Sequence, residues 1–206
     1  MSLDSRLART LCARLCHDLG GAVGTLVGTL DLAGEHGAEM IALSRETATI
    51  LRQRLRLYAA AWGGPSTEFD AAGLAALLEG APAWPRVRFV LDRLAPGAML
   101  PAGLVPLALN AALLAAEALP RGGTVILSGS AEAGLVAWPE GQSAAWPAPF
   151  LALLGGAPPD AALEGGPRRV LAPLLLALAA EAGWEVSLGL AAGDAAAPLT
   201  LLPPRG

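Results

Sequence analysis

In the stretch RLCHDLGGAVGTLVGTLDL, His17 is followed directly by Asp18 and preceded, one helical turn earlier, by Arg14. An exposed imidazole is a competent nucleophile as well as a base. A carboxylate beside it can hydrogen-bond one ring nitrogen, fix the tautomer and leave the other nitrogen free to attack. Residues three, four, seven and eleven apart share one face of an α-helix. His17 therefore shares its face with Gly20, Gly21, Gly24 and Gly28. Each glycine in a helix interior costs roughly 1 kcal/mol relative to alanine. Two explanations compete for that cost. Gly20, Gly24 and Gly28 form a ladder of small residues that could bring another helix backbone close. Alternatively, a bare face lets a partner protein approach the imidazole without obstruction, and Gly21 and Gly24, nearest His17 in angle, fit this second reading better.

Other constellations are weaker. Cys12, Cys16, His17 and His36 offer no fourth metal ligand at a recognised spacing, since zinc signatures pair cysteines carried on turns. The two cysteines are expected to be small buried apolar residues, and His36 to be exposed in a turn. No metal site, Ser-His-Asp order, P-loop or paired carboxylates can be built from the sequence.

The elements that must position His17 follow from periodicity. Leu7, Leu11, Leu15, Leu19, Leu26 and Leu30 recur at three- and four-residue steps, which predicts a helix over 3–33. Gly34-Glu35-His36-Gly37 interrupts it, and a second helix is expected over 38–62, with Ile41, Ala48, Leu51, Leu55, Tyr58 and Trp62 as its stripe. A short connection between two long helices makes an antiparallel hairpin. Ile50, Leu57 and Ala61 widen the second stripe beyond what one partner covers, so a second copy, giving a four-helix bundle across a two-fold axis, is the simplest completion.

After Gly63-Gly64-Pro65-Ser66 the texture changes. A helix is expected within 69–79, a strand over 86–91, a helix over 104–119, an antiparallel strand pair at 124–128 and 135–138, a helix over 170–182, and strands near 184–188 and 198–202. Residues 141–167, rich in Pro, Gly and Ala, should be irregular with one short helix. The expected fold is α+β: a hairpin domain over 1–64, then an α/β sandwich over 65–206 with helices layered on antiparallel strands.

Composition bounds the function. With 206 residues, 54% hydrophobic and 16% charged, the chain can bury a real core. A net charge of −4 gives no general attraction to nucleic acid or anionic membrane. The N-terminus lacks a signal-peptide core and no membrane span is expected, so a cytoplasmic protein is the reading.

The His17 stretch resembles the histidine-bearing helix of two-component phosphotransfer proteins and, more narrowly, that of the ChpT-type histidine phosphotransferases. Leu107–Ser128, LALNAALLAAEALPRGGTVILS, resembles that family's counterpart of the kinase N box and the strand after it. The resemblance implies a homodimer built through the hairpin, a second domain shaped like a histidine-kinase ATPase domain, phosphorylation of His17, and Arg14 and Asp18 as its neighbours. It implies as partners the receiver domains of response regulators and of a hybrid histidine kinase. Departures from kinases narrow it further. Asn110 stands where the metal-binding asparagine of the N box would be. No D-x-G-x-G or G-x-G-x-G pattern occurs in 138–166, and the chain contains no lysine. The expectation is a phosphotransfer protein, not an ATP-dependent kinase, with no cofactor of its own and Mg²⁺ supplied by the receiver. Gly21 has no side chain to hold a water, so phosphatase activity of the kinase type is not expected. The alternatives are a dimeric scaffold in which His17 is incidental and a kinase with atypical nucleotide loops.

Overall fold

A computed structural model of the chain describes residues 2–64, 67–97, 99–191 and 195–204, without the side chains of 34–36. The expected exposure of His36, and Pro65-Ser66 of the helix break, lie outside the described residues.

The first element is a single helical run, α1 (Leu3–Trp62), started by a Ser2 cap whose hydroxyl accepts from the Ser5 N–H, with Asp4 in its first turn. Laid straight, its 60 residues would extend about 90 Å. Instead Tyr58 reaches Asp18, and the Thr29 and Ser44 hydroxyls meet at 2.8 Å. The run doubles back, and Gly37 takes φ +31° at the turn, a left-handed value that glycine adopts without a side-chain penalty. The hairpin expected from the glycine-rich interruption is thus present, with hydrogen-bonded helix continued through it.

The rest of the chain is one sheet with helices. The order is α2 (Ala71–Leu78), β1 (Val87–Leu94), α3 (Val105–Glu117), β2 (Gly123–Ser130), β3 (Gly134–Glu140), α4 (Ala148–Leu154), α5 (Pro159–Leu163), α6 (Leu171–Ala182), β4 (Glu185–Leu188) and β5 (Leu199–Leu202). Asp70 caps α2 by accepting from the Gly73 N–H at 2.7 Å. The five strands lie in the order β1-β2-β3-β5-β4. Three of the four pairings are antiparallel, as expected. The exception corrects the reading of a wholly antiparallel sheet: β1 and β2 run parallel, Val87 beside Gly123, because α3 lies between them as a crossover connection. Residues 141–167 also differ from expectation, holding two short helices, α4 and α5, with a 3₁₀ turn over Pro167–Arg169.

The core joins the two parts of the chain. Leu57, Tyr58 and Ala61 at the base of the hairpin are buried with Leu107 and Leu114 of α3, Leu127 of β2, Leu171 and Leu175 of α6, and Leu199 and Leu201 of β5. That packing seats α3 and the segment after α5 against the helix that carries His17. Among the described residues, no helix is long and apolar enough to cross a membrane.

Candidate functional site

Helical spacing turns His17 outward and Asp18 inward. The His17 side chain is 51% exposed and that of Asp18 only 6%. Asp18 Oδ1 lies 2.9 Å from His17 Nδ1. Its other oxygen, Oδ2, accepts from Arg14 Nε at 2.6 Å and from the Tyr58 hydroxyl at 2.5 Å. The backbone carbonyl of Asp18 accepts from Arg54 Nη1 at 2.8 Å. Burial alone would push the Asp18 carboxyl up; the hydrogen bonds from Tyr58, Arg14 and His17, with the Arg14 charge, outweigh it and hold the group below the usual carboxylate range. Tyr58 moves the other way, its hydroxyl pushed far up by burial and by donation to the carboxylate. The site therefore keeps a carboxylate and a neutral phenol.

With Asp18 ionised, it accepts from a protonated Nδ1, and Nε2 keeps its lone pair. Nε2 faces Arg168, whose Nη2 is 3.4 Å away. Arg168 belongs to the 3₁₀ turn after α5, so the C-terminal part of the chain supplies a cation at the outer edge of the imidazole. An ion pair between Arg6 and Asp160, at 2.9 Å, holds α5 against the first arm.

Arg14 does not touch the imidazole. Its guanidinium spans Asp18 on its own helix and Glu117 Oε1 of α3 at 3.0 Å. Gly20, Gly21, Gly24 and Gly28 all lie on open surface, where an added methyl would meet no atom within 4 Å. None serves close packing inside the hairpin. Cys12 and Cys16 contradict the expectation of burial: both are free and exposed, because the α1 face that carries them turns away from the second arm and from the sheet. Among the described residues, no group of His, Cys, Asp and Glu could hold a metal ion.

Asn110, in the position of the N-box asparagine, does not fit a metal or nucleotide role. It is fully buried; its Oδ1 accepts from the Trp62 indole at 2.9 Å, and its Nδ2 donates to the carbonyls of Ala61 and Pro106. The bonds to Trp62 and Ala61 join α3 to the hairpin, and the one to Pro106 closes on its own helix. Trp62 in turn stacks on Tyr58, ring centroids 4.0 Å apart. Asn110 thus supports the site through that stack.

Sequence reasoning missed Tyr58, Arg54, Glu117 and Arg168. Tyr58 reads as core because it lies on the apolar stripe. Arg168 sits in a Gly- and Pro-rich connection with no periodicity to place it. Glu117 alone carried a signal: it is an acid at the end of a helix that is otherwise almost wholly apolar.

Comparison with known proteins bears on the family of the chain and on its fold. Residues 64–194 match the family model described as the histidine phosphotransferase C-terminal domain. The protein phosphotransferase ChpT of Brucella abortus (strain 2308) is 30% identical over 196 residues, which cover 91% of this chain and 92% of that protein. A solved bacterial phosphotransferase superposes with a TM-score of 0.75 at 27% identity, over 98% of this chain and 96% of the other. The likeness runs through both sequence and fold, and the chain belongs to the histidine phosphotransferase family.

Proposed function

We propose that His17 carries a phosphoryl group between the aspartates of receiver domains, with Nε2 as the accepting nitrogen and without use of ATP. The observation that carries this reading is the pair of contacts on the ring: Asp18 Oδ1 at Nδ1 and open surface with Arg168 at Nε2. In the forward step the Nε2 lone pair forms a bond to phosphorus as the acyl phosphate P–O bond of the receiver breaks and its carboxylate leaves. Positive charge develops on the ring, and the Asp18 carboxylate stabilises it through the Nδ1–H bond. Arg168 is placed to neutralise the phosphoryl oxygens. Such transfer relies on positioning and charge neutralisation more than on covalent machinery. The reverse step uses the same contacts. Mg²⁺ belongs to the receiver in this account.

The committed hydrogen bonds of Asn110 and the turning of Arg168 toward His17 support a pseudo-ATPase role for residues 65–206, which would hold and complete a phosphotransfer hairpin over 1–64. The kinase alternative needs a free asparagine and phosphate-binding loops. In the scaffold alternative the Asp18 hydrogen bond on the imidazole has no purpose. The relay is tested by mixing the chain with a phosphorylated receiver and a second, unphosphorylated one in nucleotide-free buffer. Movement of the label to the second receiver, dependent on this chain, supports the reading. A titration finding micromolar affinity for ATP with Mg²⁺ would contradict it.

The hairpin also leaves apolar surface uncovered. Val23, Val27 and Leu30 on the first arm, and Ile41 and Leu55 on the second, are exposed. Their three-, four- and fourteen-residue spacings put each set on one face, as in a helix bundle. A second copy of the hairpin covers such faces, which supports a homodimer, and the proposed setting is the cytoplasm. Light scattering should give twice the chain mass at micromolar concentration; a compact monomer would exclude the bundle.

The open glycine face is the proposed landing surface for the receiver. Gly21→Ala and Gly24→Ala should raise stability by up to roughly 1 kcal/mol through helix propensity, because the methyl meets nothing in the chain. Both should slow transfer by obstructing approach. Thermal melts paired with transfer rates check this, and a variant that is destabilised yet fully active would place the glycines in a helix–helix contact instead.

A further inference from the structure

We infer that Glu117 is a positioning residue for the phosphoryl-accepting imidazole, acting from the C-terminal part of the chain through Arg14 and Asp18. The inference rests on the relay reading of His17 and names a residue that completes the site from outside its helix.

The chain of contacts is continuous. Glu117 Oε1 accepts from Arg14 Nη1 at 3.0 Å, Arg14 Nε donates to Asp18 Oδ2 at 2.6 Å, and Asp18 Oδ1 meets His17 Nδ1 at 2.9 Å. A guanidinium is a rigid fork, so fixing one prong aims the other. Packing does not fix Arg14 by itself: a cavity of about 150 Å³ lies beside it, lined by Arg14, Tyr58, Arg86 and Glu117 among others. The contact with Glu117 braces the outer prong of the fork against that space, while Asp18 holds the inner one. Together with the Tyr58 hydroxyl, the fork keeps Oδ2 of Asp18 engaged and leaves Oδ1 turned to the ring.

Stability does not account for Glu117. It is the last residue of α3, where the helix dipole disfavours an anion, and the helix end has no basic residue of its own. Burial pushes its carboxyl up, against the pull of the Arg14 and Arg169 charges. A residue that breaks the rules of its own helix end, and whose gain is an ion pair to another helix, marks a constraint set elsewhere. Here that constraint is the imidazole, and the hairpin's site is complete only when α3 is docked against it.

The test uses the full chain. In Glu117→Gln, with histidine labelled in its ring nitrogens, the NMR shifts of His17 report which nitrogen is protonated. The expected result is loss of the single Nδ1–H form in favour of a mixture, with a fall in the rate of phosphoryl uptake from a charged receiver between about ten- and a hundredfold. The melting temperature should not fall. Arg14→Lys, which keeps the charge and loses the fork, should reproduce both effects, and the double variant should be no worse than either alone. An unchanged tautomer and rate in Glu117→Gln overturns the inference, as does a rate loss matched by loss of stability. Wild-type chain that takes up no phosphoryl group, while the tautomer still responds to Glu117, would instead count against the relay and leave the positioning contact standing.

Discussion

A His17→Gln chain is expected to accept no phosphoryl group from any receiver, while keeping its helical circular dichroism and its mass in solution. The imidazole is half exposed; its closer contact, Asp18, retains Arg14 and Tyr58 when the ring is removed, and its other, Arg168, is a longer contact at the exposed edge of the ring. Substitutions at such positions usually change stability by no more than about 0.5 kcal/mol. Glutamine keeps hydrogen-bonding capacity and lacks a nucleophilic nitrogen, so the effect on transfer should be complete. Residual uptake at a rate near that of the unsubstituted chain would mean that another side chain is the acceptor. Unfolding of the variant would show that His17 is held for structure.

The second large effect is expected at Asp18→Asn. The side chain is isosteric, yet the negative charge that receives Arg14 Nε and Tyr58 and faces Nδ1 is gone. Charge-assisted bonds to a buried carboxylate are among the stronger hydrogen bonds, and their loss should cost roughly 2 kcal/mol of stability. Transfer should slow by roughly a hundredfold, because the tautomer is no longer fixed and the charge developing on the ring is no longer balanced. Acid titration separates the charge from the shape. The folded state holds Asp18 below its ordinary range, so its contribution is fully present above the unfolded value, near about pH 4, and is lost as pH falls through the lower folded value. Denaturation curves from pH 7 down to pH 2 should therefore converge for the parent chain and Asp18→Asn at the acid end. A constant gap between them would assign the stability difference to packing.

Much of the fold was legible because its signals are local. The stripe through Leu7, Leu15 and Leu26, broken at Gly34–Gly37, gave both arms of the hairpin. Alternation gave β1, and β2 and β3 were expected as a pair after the Arg121-Gly122-Gly123 turn, each to within a few residues. The parallel pairing of β1 with β2 escaped, because strand direction depends on where a crossover helix packs. Within the site, the hydrogen bond of Asp18 to the imidazole was legible from adjacency on one helix, whereas Arg14 was expected beside His17 from the resemblance and instead bridges Asp18 and Glu117. Tyr58, Glu117 and Arg168 meet Asp18, Arg14 and His17 from forty, about a hundred and about a hundred and fifty residues away, and only tertiary packing fixes those meetings. Cys12 and Cys16 failed for a related reason. Spacing puts them together on one helix, but which face of that helix the rest of the fold covers is set by tertiary packing, and it leaves them exposed.

The most direct test of the account is site-mapped labelling in the absence of nucleotide. The full chain is incubated with a phosphorylated receiver and Mg²⁺ in buffer stripped of ATP, then digested under alkaline conditions that preserve phosphohistidine, and its peptides are weighed. The account predicts one phosphoryl group, acid-labile, on the peptide containing His17, appearing without nucleotide and returning to an unphosphorylated receiver. A label that appears only when ATP is added, or one that maps to any residue other than His17, would contradict it.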